Sequence, residues 1–456
     1  MDFKEVHLKQ QGFFLTNQTK DVDYRKNQLK KLKELLKANE QKLFDAIYED
    51  SGKSEFETYL TELSLLYHEI SLFEKKLKSW SKPRRVWTDI ANMPARSYII
   101  PEPLGVTLVI GAWNYPYLLS LHPAACAIAA GNTVMLKPSE LPSNTARVMT
   151  ELINTNFPAE LLHVVEGGVK ETTELLELKF DKIFFTGSTN VGRIVYQAAA
   201  KHLTPVTLEL GGKSPTFVFA DCNLAMTAKR LVWAKFINAG QTCVAPDYVL
   251  VEKSIETKFL EALKLEIEKY HADRKDIGEN YLRIINERNF DRLCRLIDPA
   301  KVYCGGYTDK AKRFIAPTVM NKVTFDDAVM QEEIFGPILP VIPFTNLDEA
   351  VKTVKDRPKP LSCYVYSKDK KRIKKILHEI SFGGGAVNDS IMHLSNSNLP
   401  FGGVGASGMG SYHGKAGFDT FTHYKSIVDK PFWIEPNLKY PPYKKYKLKL
   451  IKWILG

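Results

Sequence analysis

The stretch Asn238 to Pro246 reads NAGQTCVAP and sets a cysteine, Cys243, among small, flexible and polar residues. A thiol kept for packing behaves as a small hydrophobe and usually sits in an apolar run. Here Gly240 lets the backbone bend closely, and Gln241 and Thr242 offer hydrogen bonds, the surroundings of a thiol meant to meet something. A free thiol with a pKa of about 8.5 is only a few per cent thiolate at neutral pH. A nucleophilic role therefore calls for a proton acceptor or a nearby positive charge.

Other short motifs offer partners. LELGGKSP puts Glu209 inside an apolar strand that ends in a Gly-Gly turn. A carboxylate there either pairs structurally or has a raised pKa and serves as a base. GAWNYP carries Asn114, whose amide could donate to an oxyanion or simply belong to a turn. MLKPSE places Lys137 and Glu140 just past a strand end, where they could hold ribose hydroxyls or merely be solvated. In DKIFFTGSTNVGRIVYQAAAKH, Gly187 and Gly192 allow a tight turn whose amides, with the helix N-terminus, can face a phosphate. Thr189 stands where the second glycine of G-x-G-x-x-G would be, so this could equally be an ordinary helix start. MQEEIFGP adds Glu333 and Phe335, a ribose contact and an aromatic wall, or else a surface acid and a core aromatic.

These loops need strands and helices to hold them. From Val106 the pattern is strand, loop, helix, repeated: VTLVIGAW, NTVMLKPSE, LLHVVEGG, KIFFTGS and PVTLELGG. Short β-branched runs followed by Gly- or Pro-bearing loops and helical stretches predict an α/β fold with a doubly wound parallel sheet. A second α/β block follows from Gly211, with strands near 216–219, 248–251, 336–343 and 361–366. The first eighty residues read as helices. Leu29, Leu32, Leu36, Leu43 and Ile47 recur at helical intervals with Gly52 as a stop, and Leu63, Leu66, Ile70, Phe73 and Leu77 mark another. Pro103 to Leu136 holds no Asp, Glu, Lys or Arg and is long enough to span a bilayer. Its glycines, prolines and Asn114 break it instead into a strand (106–110), a loop, a buried helix (118–130) and a strand (133–136).

With 456 residues the chain suits two or three domains, and 44% hydrophobic with 25% charged residues is the balance of a soluble globular protein. Its six cysteines are scattered without CxxC or a His-rich tract, which argues against disulfides and structural zinc, fits a reducing cytosol, and leaves no metal expected. The start, MDFKEVHLKQ, is charged and reads as no secretory signal. The net charge of +11 is uneven: from Lys430 onward seven lysines face one glutamate. No basic module with interleaved aromatics points to nucleic acid.

Taken together, NAGQTC, ELGGKSP, WNYP, KPSE, FTGS and EEIFGP resemble the NAD(P)-dependent aldehyde dehydrogenase superfamily over nearly the whole chain. FGGVGASGMGSYHGK and NLKYPPY look like its class 3, or fatty aldehyde dehydrogenase, branch. The resemblance implies Cys243 as nucleophile, Glu209 as general base and Asn114 as oxyanion donor, assisted by the Cys243 amide. It implies Lys137 and Glu140 at the adenosine ribose, Gly187, Ser188 and Gly192 at the pyrophosphate, and Glu333 and Phe335 at the nicotinamide ribose. The reaction implied is NAD- or NADP-dependent oxidation of medium, long or aromatic aldehydes to acids, through a thiohemiacetal and a thioester hydrolysed by Glu209-activated water. Tyr115 and Phe401 would suit an apolar substrate tail. Transfer to coenzyme A is the alternative, disfavoured because acylating members typically lack the glutamate present at 209. A thiol hydrolase without dinucleotide would leave the Lys137/Glu140 and Gly187 loops without work, and a non-catalytic reuse of the fold usually loses the nucleophile or the base, both of which are present.

The same resemblance implies a cofactor domain (1–84 and 106–209), a catalytic domain (210–390), a bridging element (85–105 and 391–430) and a cytoplasmic homodimer. The remaining residues, 431–456, form a basic tail. In YPPYKKYKLKLIKWILG, Tyr443, Tyr446, Leu450 and Ile454 can share one helical face, with Lys445, Lys449 and Lys452 toward the other. Such a helix could lie on an anionic membrane surface, cover the substrate entrance or pack on a second subunit.

Overall fold

The computed structural model describes residues 2–270 and 281–456. The strands after Val106 assemble a first sheet in the order Gly408–Met409, Val206–Glu209, Lys182–Thr186, Val106–Ile110, Thr133–Lys137, Leu162–Val164. All neighbours are parallel except Gly408–Met409, which runs antiparallel to Val206–Glu209. Counted along the chain, the five parallel strands lie 3-2-1-4-5, so the order reverses between Val106–Ile110 and Lys182–Thr186. Doubly wound sheets bind ligands beyond the carboxyl ends of their strands at such a switch point. The loops starting at Gly111 and Gly187 leave the sheet there.

Val106–Ile110, Thr133–Lys137 and Lys182–Thr186 are buried along their whole length, which is why each reads as a continuous apolar run rather than an alternation. The uncharged segment supplies two of these strands and, between them, the helix Pro116–Ala130, every residue of which is buried. That helix starts two residues before the predicted position because Pro116, in its first turn, has no N–H to satisfy. Among the described residues no helix is long and apolar enough to cross a membrane.

A second sheet runs Val302–Cys304, Thr318–Met320, Ile338–Phe344, Tyr248–Glu252, Pro215–Val218, Ser362–Tyr366, Gly384–Val387, parallel except for its first pair. Glu209 ends a strand of the first sheet and Pro215 starts one of the second, so the ELGGKSP turn passes between the two. Arg84–Val86, Arg96–Pro103 and Thr422–Asp429 form a separate antiparallel sheet.

The N-terminal leucine stripe belongs to two helices, Val22–Ala38 and Glu40–Ser51. Asn39 separates them: its side-chain amide donates to Leu35 O at 2.8 Å, a local bond that competes with the helical ladder. Gly52 stops the second helix in the left-handed conformation, φ 72°. Ser64–Trp80 follows a π-turn over Tyr59–Leu63, and its apolar side packs with the leucine stripe against Pro116–Ala130. The tail helix spans Lys445–Leu455, so Tyr443 lies ahead of it, held out of the helix by Pro441 and Pro442.

Candidate active site

A cleft of about 690 Å³ opens at the switch point and runs down to Cys243 between the two sheets. One wall is made by strand ends and helix starts. Lys137, the last residue of its strand, is 1% exposed and donates from Nζ to Pro138 O at 2.7 Å. Burial pulls its pKa down, while Glu140 and Glu171 oppose the shift. The exposed Glu140 carboxylate stands 4.0 Å from that ammonium. Ser188 caps the helix Thr189–Ala200, its Oγ accepting from Val191 N at 3.4 Å, and Thr189, Asn190 and Val191 present the helix start to the cleft. Gly187 lines the cleft too, but Gly192 is buried inside the helix. A Cβ at Gly192 would lie 2.7 Å from Leu210 Cδ2, so this glycine lets the helix close on the sheet.

The facing wall carries the Cys243 thiol. Cys243 follows three consecutive left-handed residues, Asn238 (φ 54°), Ala239 (φ 49°) and Gly240 (φ 71°). The Asn238 amide donates to Asn114 O at 2.9 Å and to Gln241 O at 3.0 Å, and Asn114 Nδ2 donates to that same Gln241 carbonyl at 3.0 Å. Asn114 is thereby fixed at the cleft with one of its two amide hydrogens still free to donate. The Gln241 side chain bridges onward to Ile285 N and Arg283 O. Burial pushes the Cys243 thiol up to about 12, with Glu333 and Glu209 adding to the rise and the N–H groups of Cys243 and Val244 opposing it.

Glu209 is 3% exposed and neither carboxylate oxygen has a hydrogen-bond partner among the described residues. Burial alone raises its pKa well above the ordinary carboxylate range. Such a group is unsatisfied until a polar ligand reaches it, and it is a strong base once ionised. Glu333 sits over Gly211, where a Cβ would come within 1.8 Å of Oε2. Its pKa is raised to about 8 by burial and Asp247, against the Gly212 N–H, Lys213 and Arg292. Phe335, itself left-handed at φ 49°, stacks edge-on to Trp113 at 5.2 Å. Phe401 also lines the cleft. Tyr115 does not: its hydroxyl meets Thr242 Oγ1 at 2.6 Å and its ring faces the Lys53 ammonium at 4.3 Å.

Several residues here carried no sequence signal of their own. Trp113 and Tyr412 line the cleft, although both sit inside motifs singled out for other members. Arg292 donates to Ile334 O at 2.7 Å and Lys213 pairs with buried Asp247 at 2.5 Å, so both fix the segment that carries Glu333 and Phe335. Val169, Val191 and Ile194 are exposed hydrophobics that line the cleft, the last two on the helix Thr189–Ala200.

The site thus joins a thiol, an unpartnered buried carboxyl and an amide donor at the base of a cleft whose rim suits a dinucleotide. Residues 11–427 match the aldehyde dehydrogenase family. The chain belongs to that family. This aldehyde dehydrogenase is 48% identical to 4,4'-diaponeurosporen-aldehyde dehydrogenase of Staphylococcus aureus, over 97% of its own length and 96% of the relative's. It is 44% identical to the dimeric NADP-preferring aldehyde dehydrogenase of Canis lupus familiaris, over 96% and 97% of the two chains. The solved substrate-bound state of Staphylococcus aureus AldH superposes with a TM-score of 0.97 at 46% identity and covers 100% of both chains. The enzyme therefore oxidises aldehydes with NAD or NADP, and coenzyme A transfer is not favoured.

Proposed function

We propose that Cys243, Glu209 and Asn114 carry this oxidation, and that the substrate is an apolar aldehyde of medium or long chain, or an aromatic one. The observation that carries the reading is the meeting of all three at the base of one cleft, with the unpartnered carboxyl of Glu209 across from the thiol. The residues at the rim fit a dinucleotide. Thr189 to Val191 offer helix N–H groups to a pyrophosphate, Lys137 and Glu140 offer a donor and an acceptor to a ribose, and Val169 and Ile194 flank an adenine slot. Gly187 and Ser188 shape that helix start, and Glu333 and Phe335, which line the same cleft, would hold the second ribose. Gly192 contributes by letting the helix approach. When bound, NAD(P)+ supplies the hydride acceptor that turns the thiohemiacetal into a thioester.

The chain's own residues do the rest. Cys243 Sγ passes its proton to cleft water and bonds to the aldehyde carbon as the C=O π electrons move onto oxygen. The oxygen that becomes anionic is held by the free Asn114 hydrogen and the Cys243 N–H. Glu209 takes a proton from the water that attacks the thioester, and the carbon–sulfur bond breaks to return the thiol. Trp113, Phe401 and Tyr412 give the cleft an apolar surface, and Tyr115 contributes from behind it by holding Thr242.

Residues 1–84 with 106–209, 210–390, and 85–105 with 391–430 act as cofactor, catalytic and bridging parts. The enzyme works as a cytoplasmic homodimer, and its tail touches anionic membrane surfaces. Tyr446, Trp453 and Leu455 are exposed on the lysine-rich tail helix, which supports a peripheral contact. The test is NADH absorbance on mixing the protein with NAD, then NADP, and aldehydes of increasing length. Reduction without coenzyme A that grows toward longer or aromatic aldehydes is expected. Oxidation confined to two- and three-carbon aldehydes would overturn the substrate class.

A further inference from the structure

Behind the nucleophile loop lies a charged cluster that the chemistry does not use. Lys53 and Glu62, with side chains 1% and 0% exposed, pair at 2.7 Å. The second oxygen of Glu62 accepts the N–H of Tyr117 at 2.8 Å and of Leu118 at 3.2 Å, capping the helix that follows Asn114. Lys53 lies over the ring of Tyr115, which reaches Thr242 beside the nucleophile. Glu57 turns its carboxyl into the same region and accepts the Asn238 N–H at 2.7 Å.

Glu57 and Glu62 are five residues apart, which on an α-helix sets them about 140° apart around the axis. Here the short helix Glu55–Thr58 widens into the π-turn Tyr59–Leu63, and the wider turn draws the two acids toward one side. The local backbone is therefore arranged to bring both inward. What Glu57 meets is the first left-handed residue of the nucleophile loop. Asparagine tolerates that conformation better than most side chains, but Ala239 after it does not, so the pair persists only where its surroundings hold it. Because the Asn238 side chain bonds both Asn114 O and Gln241 O, any shift of Asn238 moves the oxyanion donor and the turn before Cys243 together.

We propose that Glu57 is a positioning residue for the nucleophile: by accepting the Asn238 N–H it holds the left-handed turn that sets Cys243 against Asn114. It does not line the cleft, and its role rests on the assignment of Cys243 and Asn114 made above. Glu57→Ala, Glu57→Gln and Cys243→Ala test it, each assayed for kcat, for KM toward NAD and for the rate at which iodoacetamide alkylates Cys243 without cofactor or aldehyde. Glu57→Ala should lower kcat by about tenfold or more and change the alkylation rate by at least about threefold, with KM for NAD within about twofold. Glu57→Gln keeps an oxygen acceptor at the same reach and should return kcat to within about threefold of the parent. A Glu57→Ala enzyme with parental kcat and alkylation rate, or a Glu57→Gln enzyme as impaired as Glu57→Ala, would overturn the proposal. If Glu57→Ala does not fold, Glu57→Asp replaces it, since it withdraws the carboxyl by one methylene. A large loss of kcat there beside an active Glu57→Gln supports the proposal, and parental kcat refutes it. Turnover by Cys243→Ala would instead remove the nucleophile assignment, whatever the Glu57 variants do.

Discussion

The two walls of the cleft are built on different principles. The wall we assign to the cofactor uses what any doubly wound sheet provides: strand ends, a capped helix start and, from Lys137 to Val191, no positive φ outside glycine. The nucleophile wall departs from regular structure, with left-handed residues at 238, 239, 240 and 335, and its loop is tied down from several directions. A dinucleotide needs a broad surface with a few donors. A reacting carbon needs a sulfur and an oxyanion donor held within a fraction of an ångström of their places. The strain sits where the tolerance is smallest.

The most severe way to break that arrangement is Gly240→Ala. Its φ of 71° disfavours any side chain, and a Cβ would stand 2.3 Å from Gly336 O and 3.1 Å from Lys235 O, both backbone atoms. A loss of about 3 kcal/mol or more of stability is expected, together with turnover below about a hundredth of the parent's. Denaturant unfolding and steady-state assays measure the two. An alanine enzyme near parental activity would mean the nucleophile wall is no more exacting than its neighbour.

A second test concerns charge. Burial, then Glu333 and Glu209, push the Cys243 thiol up to about 12, so the cofactor-free enzyme holds it protonated at neutral pH. Only the thiolate is alkylated, and its fraction grows about tenfold per pH unit while pH lies well below the pKa. Alkylation of Cys243 by iodoacetamide should therefore keep rising from pH 7 to pH 10. A plateau below pH 8 would reveal a thiolate stabilised in the empty cleft, and the nucleophile wall would then be pre-charged as well as pre-shaped.

How much of this was legible in the sequence follows the same division. Parallel strands buried on both faces appear as unbroken apolar runs, so Val106–Ile110 and its neighbours, and the loops at their carboxyl ends, could be placed from composition. Gly187 at a strand end was visible for the same reason. Gly192 carries the same turn signature in the sequence, but its lack of a side chain serves the contact with Leu210, which no local pattern encodes. The break at Asn39 was hidden because it depends on one side-chain bond to Leu35 rather than on periodicity. Lys53, Glu57 and Glu62 look like ordinary helix charges. Only the π-turn and the packing of a helix begun more than fifty residues later turn them inward. Tyr115 lies next to Asn114 in sequence, yet the fold points it away from the cleft toward Lys53. The motifs hold most of the residues that line the cleft; the ones that hold them in place required the fold.

The smallest expected effect sharpens the comparison from the other side. Ser188→Ala removes the cap of the helix that opens onto the cleft, an exchange that typically costs about 0.5–2 kcal/mol. Here the bond to Val191 N is long, at 3.4 Å, so the low end of that range applies. The helix start keeps its other N–H groups and its dipole, and neither depends on the Ser188 hydroxyl. Affinity for NAD, followed by quenching of protein fluorescence, should therefore weaken by no more than about threefold, with kcat essentially unchanged. If the cofactor wall works as a generic helix start, nothing more should follow. A tenfold fall in kcat would mean that the cap's geometry reaches the reacting atoms, and that this wall too is held to the tolerance of the one across from it.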